Sequence, residues 1–162
     1  GPAATFKISH MRIALLSDSL DKVLPGAKEF IVDEKIFTRL KKGFFVEMTD
    51  QCYNSENLSR NLYYSLILLQ EEPGNIWAIY SVARCFNQLY DKQKNHKLGL
   101  AVDTESKSYK EDYNLLLRML GRLKLDELVN LNYNFCRQHY ELMKEDARFT
   151  EEINTVKKIY KQ

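Results

Sequence analysis

Histidine and cysteine are the residue types of this sequence best suited to bind a metal ion or to attack a substrate, and their spacing supports neither role. A zinc site needs Cys or His ligands in close pairs, and a nucleophilic cysteine needs a nearby base. No two cysteines lie within such a spacing, and the histidines share no motif. A glycine-rich phosphate loop is also absent from the sequence. We therefore predict no catalytic residue, no metal site and no cofactor, and we interpret the cysteines as small buried hydrophobic residues. The residues considered are His10, His96, His139, Cys52, Cys85 and Cys136.

A stripe of aromatic and polar residues around the single tryptophan is better suited to binding. Trp77, Tyr80, Arg84 and Asn87 are spaced i, i+3, i+7 and i+10, which places them along one face of a helix. Trp and Tyr offer a large contact area with few rotatable bonds, and Arg offers bidentate hydrogen bonds, so these types are enriched at binding hot spots. The alternative interpretation is that the stripe packs against a neighbouring helix.

The composition of the chain excludes several classes of protein. Its 162 residues are enough for one domain with a hydrophobic core, and only six Gly and three Pro argue against a turn-rich all-β fold. The formal net charge of +2 comes from nearly equal numbers of basic and acidic residues, so nucleic-acid binding is not expected. No apolar run approaches the roughly 18 residues that a membrane-spanning helix needs.

Apolar residues recur at helical spacing along most of the chain, and this pattern predicts an all-α fold. Between the helices we expect a break with a new cap at Asn54-Ser55, a turn at Pro73-Gly74 and a cap at Asn75. Further along, Gly121 permits a turn and Asp126 can cap a long helix, while Thr150 gives a partial start signal for a last helix. These positions are read from the sequence.

We expect four segments along the chain. Residues 1–4 begin with Gly1-Pro2, which is typical of a scar left by tag cleavage, so the natural chain is expected to extend further upstream. Residues 5–32 carry an N-terminal helix and a turn, residues 33–147 a helical-repeat domain, and residues 148–162 a C-terminal helix. Residues 91–109 are mostly polar, and we interpret them as a long excursion with a brief extended segment, of a length that is often functional or mobile.

One set of four positions recurs along the chain. It consists of Phe45, Met48, Thr49 and Cys52, then 34 residues later of Ile79, Val82, Ala83 and Phe86, and, if the excursion is an insertion, of Leu128, Leu131, Asn132 and Phe135. The second set has the order large, large, small and aromatic, and Pro73 closes the first copy. The pattern resembles tetratricopeptide repeats, which have a period of 34 residues. In this register Thr49 and Asn132 replace the close-packing glycine.

This resemblance implies stacked antiparallel helical hairpins in a superhelical array, with flanking helices, whose first helices line a concave groove. The inward positions of the second copy are then the stripe from Trp77 to Asn87. Asp50 and Tyr53 are the equivalents in the first copy, and Tyr133 and Arg137 are the equivalents in the third. The predicted function is a non-catalytic module that holds a protein or peptide segment in an aromatic, arginine-containing groove. An irregular helical bundle that mainly dimerises is the remaining alternative from the pattern alone.

Three short elements form a second pattern. They are Ser9-His10 with Arg12-Ile13, Cys85-Phe86 with Leu89-Tyr90 before Lys94 and His96, and Asp112 to Arg118 followed by Glu127-Leu128. Together they resemble the helical region that follows the catalytic domain in some bacterial zinc metallopeptidases. That family uses an HExxH helix, which this sequence lacks. The resemblance therefore implies an accessory region without the active site, whose partner would be its own upstream catalytic domain.

The compartment stays open from the sequence. Unpaired cysteines favour the cytoplasm, whereas the metallopeptidase resemblance favours the cell envelope.

Overall fold

The computed structural model describes residues 34 to 161, and within this range the chain is helical without strands. The predicted all-α fold is therefore confirmed, while the tetratricopeptide-like stacking stays a prediction. In chain order the helices are α1 (Glu34–Asn54), α2 (Leu58–Glu71), α3 (Ile76–Lys94), α4 (Leu98–Ala101), α5 (Glu111–Arg122), α6 (Leu125–Gln138), α7 (Tyr140–Met143) and α8 (Ala147–Tyr160).

The chain divides into two compact units, Gly1–Thr38 and Arg39–Gln162. Of the first unit, the structure describes only residues 34 to 38, which begin α1. The predicted N-terminal helix and the elements Ser9-His10 and Arg12-Ile13 lie outside the described residues. The fold and the site below belong to the second unit, and the four predicted segments stay predictions.

Local capping residues explain where several helices begin. The side chain of Asn75 accepts a hydrogen bond from the backbone N–H of Ala78, so the predicted cap at Asn75 and the turn at Pro73-Gly74 are confirmed. The break after α1 is also present, but the residue that caps α2 is Asn57, whose side chain accepts from the N–H of Arg60. An Asn side chain satisfies an N–H that has no partner inside the helix.

Three other sequence predictions about helix ends are wrong. Gly121 lies inside α5, because α5 runs without a break to Arg122. Asp126 is not a cap, since α6 begins one residue earlier and the carboxylate of Glu127 accepts from the backbone N–H of Lys124. Thr150 lies inside α8, which is capped by Asp146. At the start of α6 and of α8, a residue other than the predicted one accepts the hydrogen bond from a backbone N–H.

The polar excursion is more regular than the sequence predicts. Residues 91–94 continue α3, and residues 98–101 form the single turn α4 instead of an extended segment. His96 follows α3 with φ 57°, a left-handed conformation that lets the chain turn away from the helix.

A polar network fastens the end of the excursion to α2 and α5. The carboxylate of Asp103 accepts hydrogen bonds from Arg60 Nε at 2.8 Å, from Asn57 Nδ2 at 2.9 Å and from the Tyr113 hydroxyl at 3.0 Å. Burial opposes ionisation of this carboxylate, but the hydrogen bond and charge of Arg60, together with the hydrogen bonds from Tyr113 and Asn57, lower the pKa of Asp103. The backbone N–H of Asp103 also donates to the hydroxyl of Ser59. The segment is thus held by charge-assisted hydrogen bonds as well as by packing.

Helix α3 lies at the centre of the described part of the fold, because apolar side chains pack against it in two clusters. In the first, Val82, Phe86 and Leu89 pack with residues of α2 and α5 such as Leu62 and Leu117. The second cluster joins α3 to α6 and α8, and its buried members are Ile79, Ala83, Val129, Cys136, Met143, Phe149, Ile153 and Val156. One face of α3 therefore packs mainly against α2 and α5 and the other against α6, α7 and α8, while Leu128 of α6 belongs to the first cluster.

Thr49 and Asn132, which occupy positions where the repeat pattern expects a glycine, are both buried. The amide of Asn61 donates to the backbone carbonyl of Thr49 at 2.7 Å. The amide of Asn132 donates to the carbonyl of Ala83 at 3.2 Å and to Asn87 Oδ1 at 2.8 Å. Side-chain hydrogen bonds to backbone carbonyls therefore join α2 to α1 and α6 to α3. The repeat pattern expects the backbones to approach each other closely at these positions.

Candidate functional site

Five of the eight predicted site residues lie together on α1 and α3. The guanidinium carbon of Arg84 lies 3.5 Å from the centroid of the Tyr53 ring and 4.9 Å from that of Tyr80. Trp77 packs edge to face against Tyr80, with 5.7 Å between ring centroids, and lies 5.9 Å from the same guanidinium. Asp50 completes the group from α1. Stacking on several aromatic rings fixes the plane of a guanidinium and contributes cation–π attraction.

The hydrogen-bond donors of Arg84 are only partly satisfied. Its Nη2 lies 3.4 Å from Asp50 Oδ1, which is long for a charge-assisted hydrogen bond. Its Nε is buried and has no hydrogen-bond partner. The side chain of Arg84 is 13% exposed and that of Asp50 is 44% exposed, so solvent reaches this ion pair mainly from the carboxylate side. The Tyr53 and Tyr80 rings therefore position the guanidinium of Arg84 more than the carboxylate of Asp50 does.

A second arginine, which the sequence analysis did not select, approaches the same rings from α8. The guanidinium carbon of Arg148 lies 4.9 Å from the Tyr80 centroid and 5.6 Å from the Trp77 ring. Its Nη2 donates to Asp146 at 2.6 Å, because Asp146 caps the helix in which Arg148 lies. We name the group the Arg84 surface, and it consists of Asp50, Tyr53, Trp77, Tyr80, Arg84 and Arg148.

Trp77 belongs partly to the packing of the fold and partly to this surface. Its indole Nε1 donates to the hydroxyl of Thr49 at 3.1 Å, which ties the ring to α1. The residue is half-buried, so part of the ring stays in contact with solvent. Both interpretations of the stripe thus apply to Trp77, each to a different edge of the ring.

Asn87, Tyr133 and Arg137 do not join the Arg84 surface. Asn87 is buried, and its amide donates to the backbone oxygen and the carboxylate of Glu152 on α8. Tyr133 stacks on Tyr160, also on α8, with ring centroids 4.3 Å apart and an interplanar angle of 15°. Arg137 lies exposed on α6. Helix α8 therefore packs against Asn87 and Tyr133, which the sequence analysis predicted to face a ligand.

Glu152 is the one acid that α8 places in this buried contact with Asn87. Burial raises the pKa of Glu152, although the hydrogen bond from Asn87 and the charge of Arg84 act in the opposite direction. The pKa of the Tyr53 hydroxyl is also raised by burial.

The three cysteines are the other candidates for reactive chemistry, and all three are buried. Cys52, Cys85 and Cys136 are buried free thiols, and burial raises the pKa of each, to about 12 for Cys136. Among residues 34 to 161, no group of three or more His, Cys, Asp or Glu side chains could hold a metal ion. In the same part of the chain, no helix has the length and apolar character needed to cross a lipid bilayer.

Comparison of the chain with protein-family models, with curated proteins and with solved structures finds no match. The geometry of the Arg84 surface and of α8 therefore carries the functional argument.

Proposed function

We propose that this chain is a non-catalytic module that binds a protein or peptide segment at the Arg84 surface. The observation that carries the proposal is the geometry around Arg84. Its guanidinium lies against the Tyr53 and Tyr80 rings, and its contact with the carboxylate of Asp50 measures 3.4 Å. A guanidinium that is already oriented loses little conformational entropy when it binds an acceptor.

The aromatic rings would supply contact area to the bound segment. Tyr53, Trp77 and Tyr80 are all half-buried, so each ring is fixed by its neighbours and still presents an edge or face to solvent. Rigid aromatic side chains next to an arginine have the composition of a binding hot spot. The carbonyl or carboxylate oxygens of a peptide would accept hydrogen bonds from Arg84, and these bonds would orient the segment on the rings.

The test is to select peptides from a phage-displayed random library on the immobilised chain and to measure their affinity through the fluorescence of Trp77. Arg84→Met keeps a side chain of similar length but removes the guanidinium, and it should weaken the selected peptides at least tenfold, which is about 1.4 kcal/mol. The matched control is Arg122→Met, which changes an exposed arginine at the end of α5 and should leave the affinity unchanged.

Two results would contradict the proposal. One is a set of selected peptides that bind the wild type and Arg84→Met equally well while both proteins keep the same helical circular dichroism. The other is a library that yields no peptide with affinity for the folded chain. The accessory-region function implied by the metallopeptidase resemblance stays a prediction from the sequence.

A further inference from the structure

Helix α8 lies against α3 and α6 as an amphipathic helix lies in a groove. Its apolar residues Phe149, Ile153 and Val156 are spaced i, i+4 and i+7, and each is at most 3% exposed. They pack with Ile79 and Ala83 of α3 and with residues of α6 in the second core cluster. This is the anchor spacing by which amphipathic helices are recognised in hydrophobic grooves.

The contact between α8 and the groove also contains polar anchors. Asn87 donates to the backbone oxygen of Glu152 at 3.0 Å and to its carboxylate at 2.7 Å. Asn132 supports Asn87 from α6 through the 2.8 Å hydrogen bond to Asn87 Oδ1. At the end of α8, Tyr160 stacks on Tyr133. Interfaces between separate proteins mix apolar anchors with polar contacts in this way.

The connection to α8 is short and open to solvent. Only residues 144 to 146 separate α7 from α8, and Lys144 and Glu145 are exposed. A short tether keeps a helix at an effective concentration in the millimolar range next to its groove. The contact between α8 and the groove can therefore be stable in the chain even if its intrinsic affinity is modest.

We propose that α8 is a replaceable ligand within the chain and that the groove between α3 and α6 accepts an amphipathic helix of a partner protein in its place. The partner helix would carry large apolar residues at the spacing of Phe149, Ile153 and Val156. It would also carry a hydrogen-bond acceptor at the position of Glu152, because the amide of Asn87 donates to that position. This extends the proposed function to the neighbouring part of the same helix α3, but it depends on different side chains.

The test uses the full chain with a protease site inserted between Lys144 and Asp146. After cleavage, a fluorescein-labelled synthetic peptide of residues 145 to 161 is added and its binding is followed by fluorescence anisotropy. We expect the peptide to bind the cleaved chain and to bind the uncut chain at least a hundredfold more weakly, because the tethered α8 competes with it. A peptide with Phe149→Ala should bind at least tenfold more weakly, while the matched control with Asn154→Ala, an exposed residue of α8, should bind like the parent peptide.

The proposal is overturned if the labelled peptide does not bind the cleaved chain, or if the cleaved chain loses its helical circular dichroism when α8 exchanges. Either result would make α8 an indispensable part of the core. The two proposals fail separately, since Arg84→Met in the uncut chain tests the Arg84 surface and the Phe149→Ala peptide tests the groove.

Discussion

The hydrogen bonds of Asn132 allow a quantitative test of how α6 is joined to α3. Asn132 is 1% exposed, and its amide donates to the carbonyl of Ala83 and to Asn87 Oδ1. Replacing Asn132 by alanine removes both donors. The carbonyl of Ala83 lies inside a helix, but Asn87 Oδ1 loses its donor and stays buried.

The expected loss of stability follows from these bonds. Two buried hydrogen bonds contribute about 1 kcal/mol each, and an unpaired buried acceptor costs about 1 kcal/mol or more. Asn132→Ala should therefore lower the free energy of unfolding by about 3 kcal/mol. For a chain of 162 residues this corresponds to a fall in Tm of about 6–12 °C.

The assay is urea unfolding followed both by far-ultraviolet circular dichroism and by the fluorescence of Trp77. The matched control is Asn130→Ala, an exposed asparagine on the same helix, which should change stability by about 0.5 kcal/mol or less. A double-mutant cycle with Asn87→Ala should show a coupling of about 1–2 kcal/mol, because the two amides bond to each other. A loss below about 1 kcal/mol for Asn132→Ala, or additive effects of the two variants, would refute this reasoning.

Three further predictions concern other parts of the described chain. Tyr113→Phe removes the hydroxyl that donates to Asp103. We expect the free energy of unfolding, measured in urea, to fall by about 1.5–3 kcal/mol and hydrogen exchange at residues 102–110 to become faster. Unchanged exchange at these residues would contradict the role of the network. Burial raises the pKa of Glu152, so the folded state binds its proton more tightly and this stabilisation is lost as the pH rises through that pKa. Glu152→Gln should therefore be more stable than the wild type at pH 7, and the difference should shrink as the pH falls towards the ordinary value of 4.5; a constant difference from pH 4 to pH 7 would contradict it. His96→Gly should raise stability by about 0.5–1 kcal/mol in thermal unfolding, because glycine adopts the left-handed backbone at φ 57° without the cost that a side chain adds, and a destabilised variant would disprove this.

Local features of the fold could be predicted from the sequence. Asn75 and the turn at Pro73-Gly74 were predictable because a cap and a turn depend on residues within four positions of each other. The same reasoning failed at Asp126, because α6 already begins at Leu125 and the carboxylate of Glu127 accepts from the backbone N–H of Lys124. Residue types alone do not show which of several polar residues within one helical turn will form the cap.

The grouping of Asp50 and Tyr53 with Trp77, Tyr80 and Arg84 was also predicted, since a spacing of 34 residues places Asp50 and Arg84 at equivalent positions of two helices. Arg148 was not selected, because it comes from a helix more than sixty residues further along and no local pattern links it to the rings. The covering of Asn87 by α8 could not be predicted for the same reason. A terminal helix can pack on any open apolar face, and only tertiary contacts decide which one.

The measurement that tests the central claim most directly is a titration of the ¹⁵N-labelled chain with a selected peptide, followed by ¹H–¹⁵N NMR spectra. We expect the largest shift changes at the backbone amides of the Arg84 surface and at the indole N–H of Trp77, with little change on the exposed side of α5 at Leu115 and Met119. Shift changes that avoid Tyr53 and Arg84 and cluster on α5 would contradict binding at this surface.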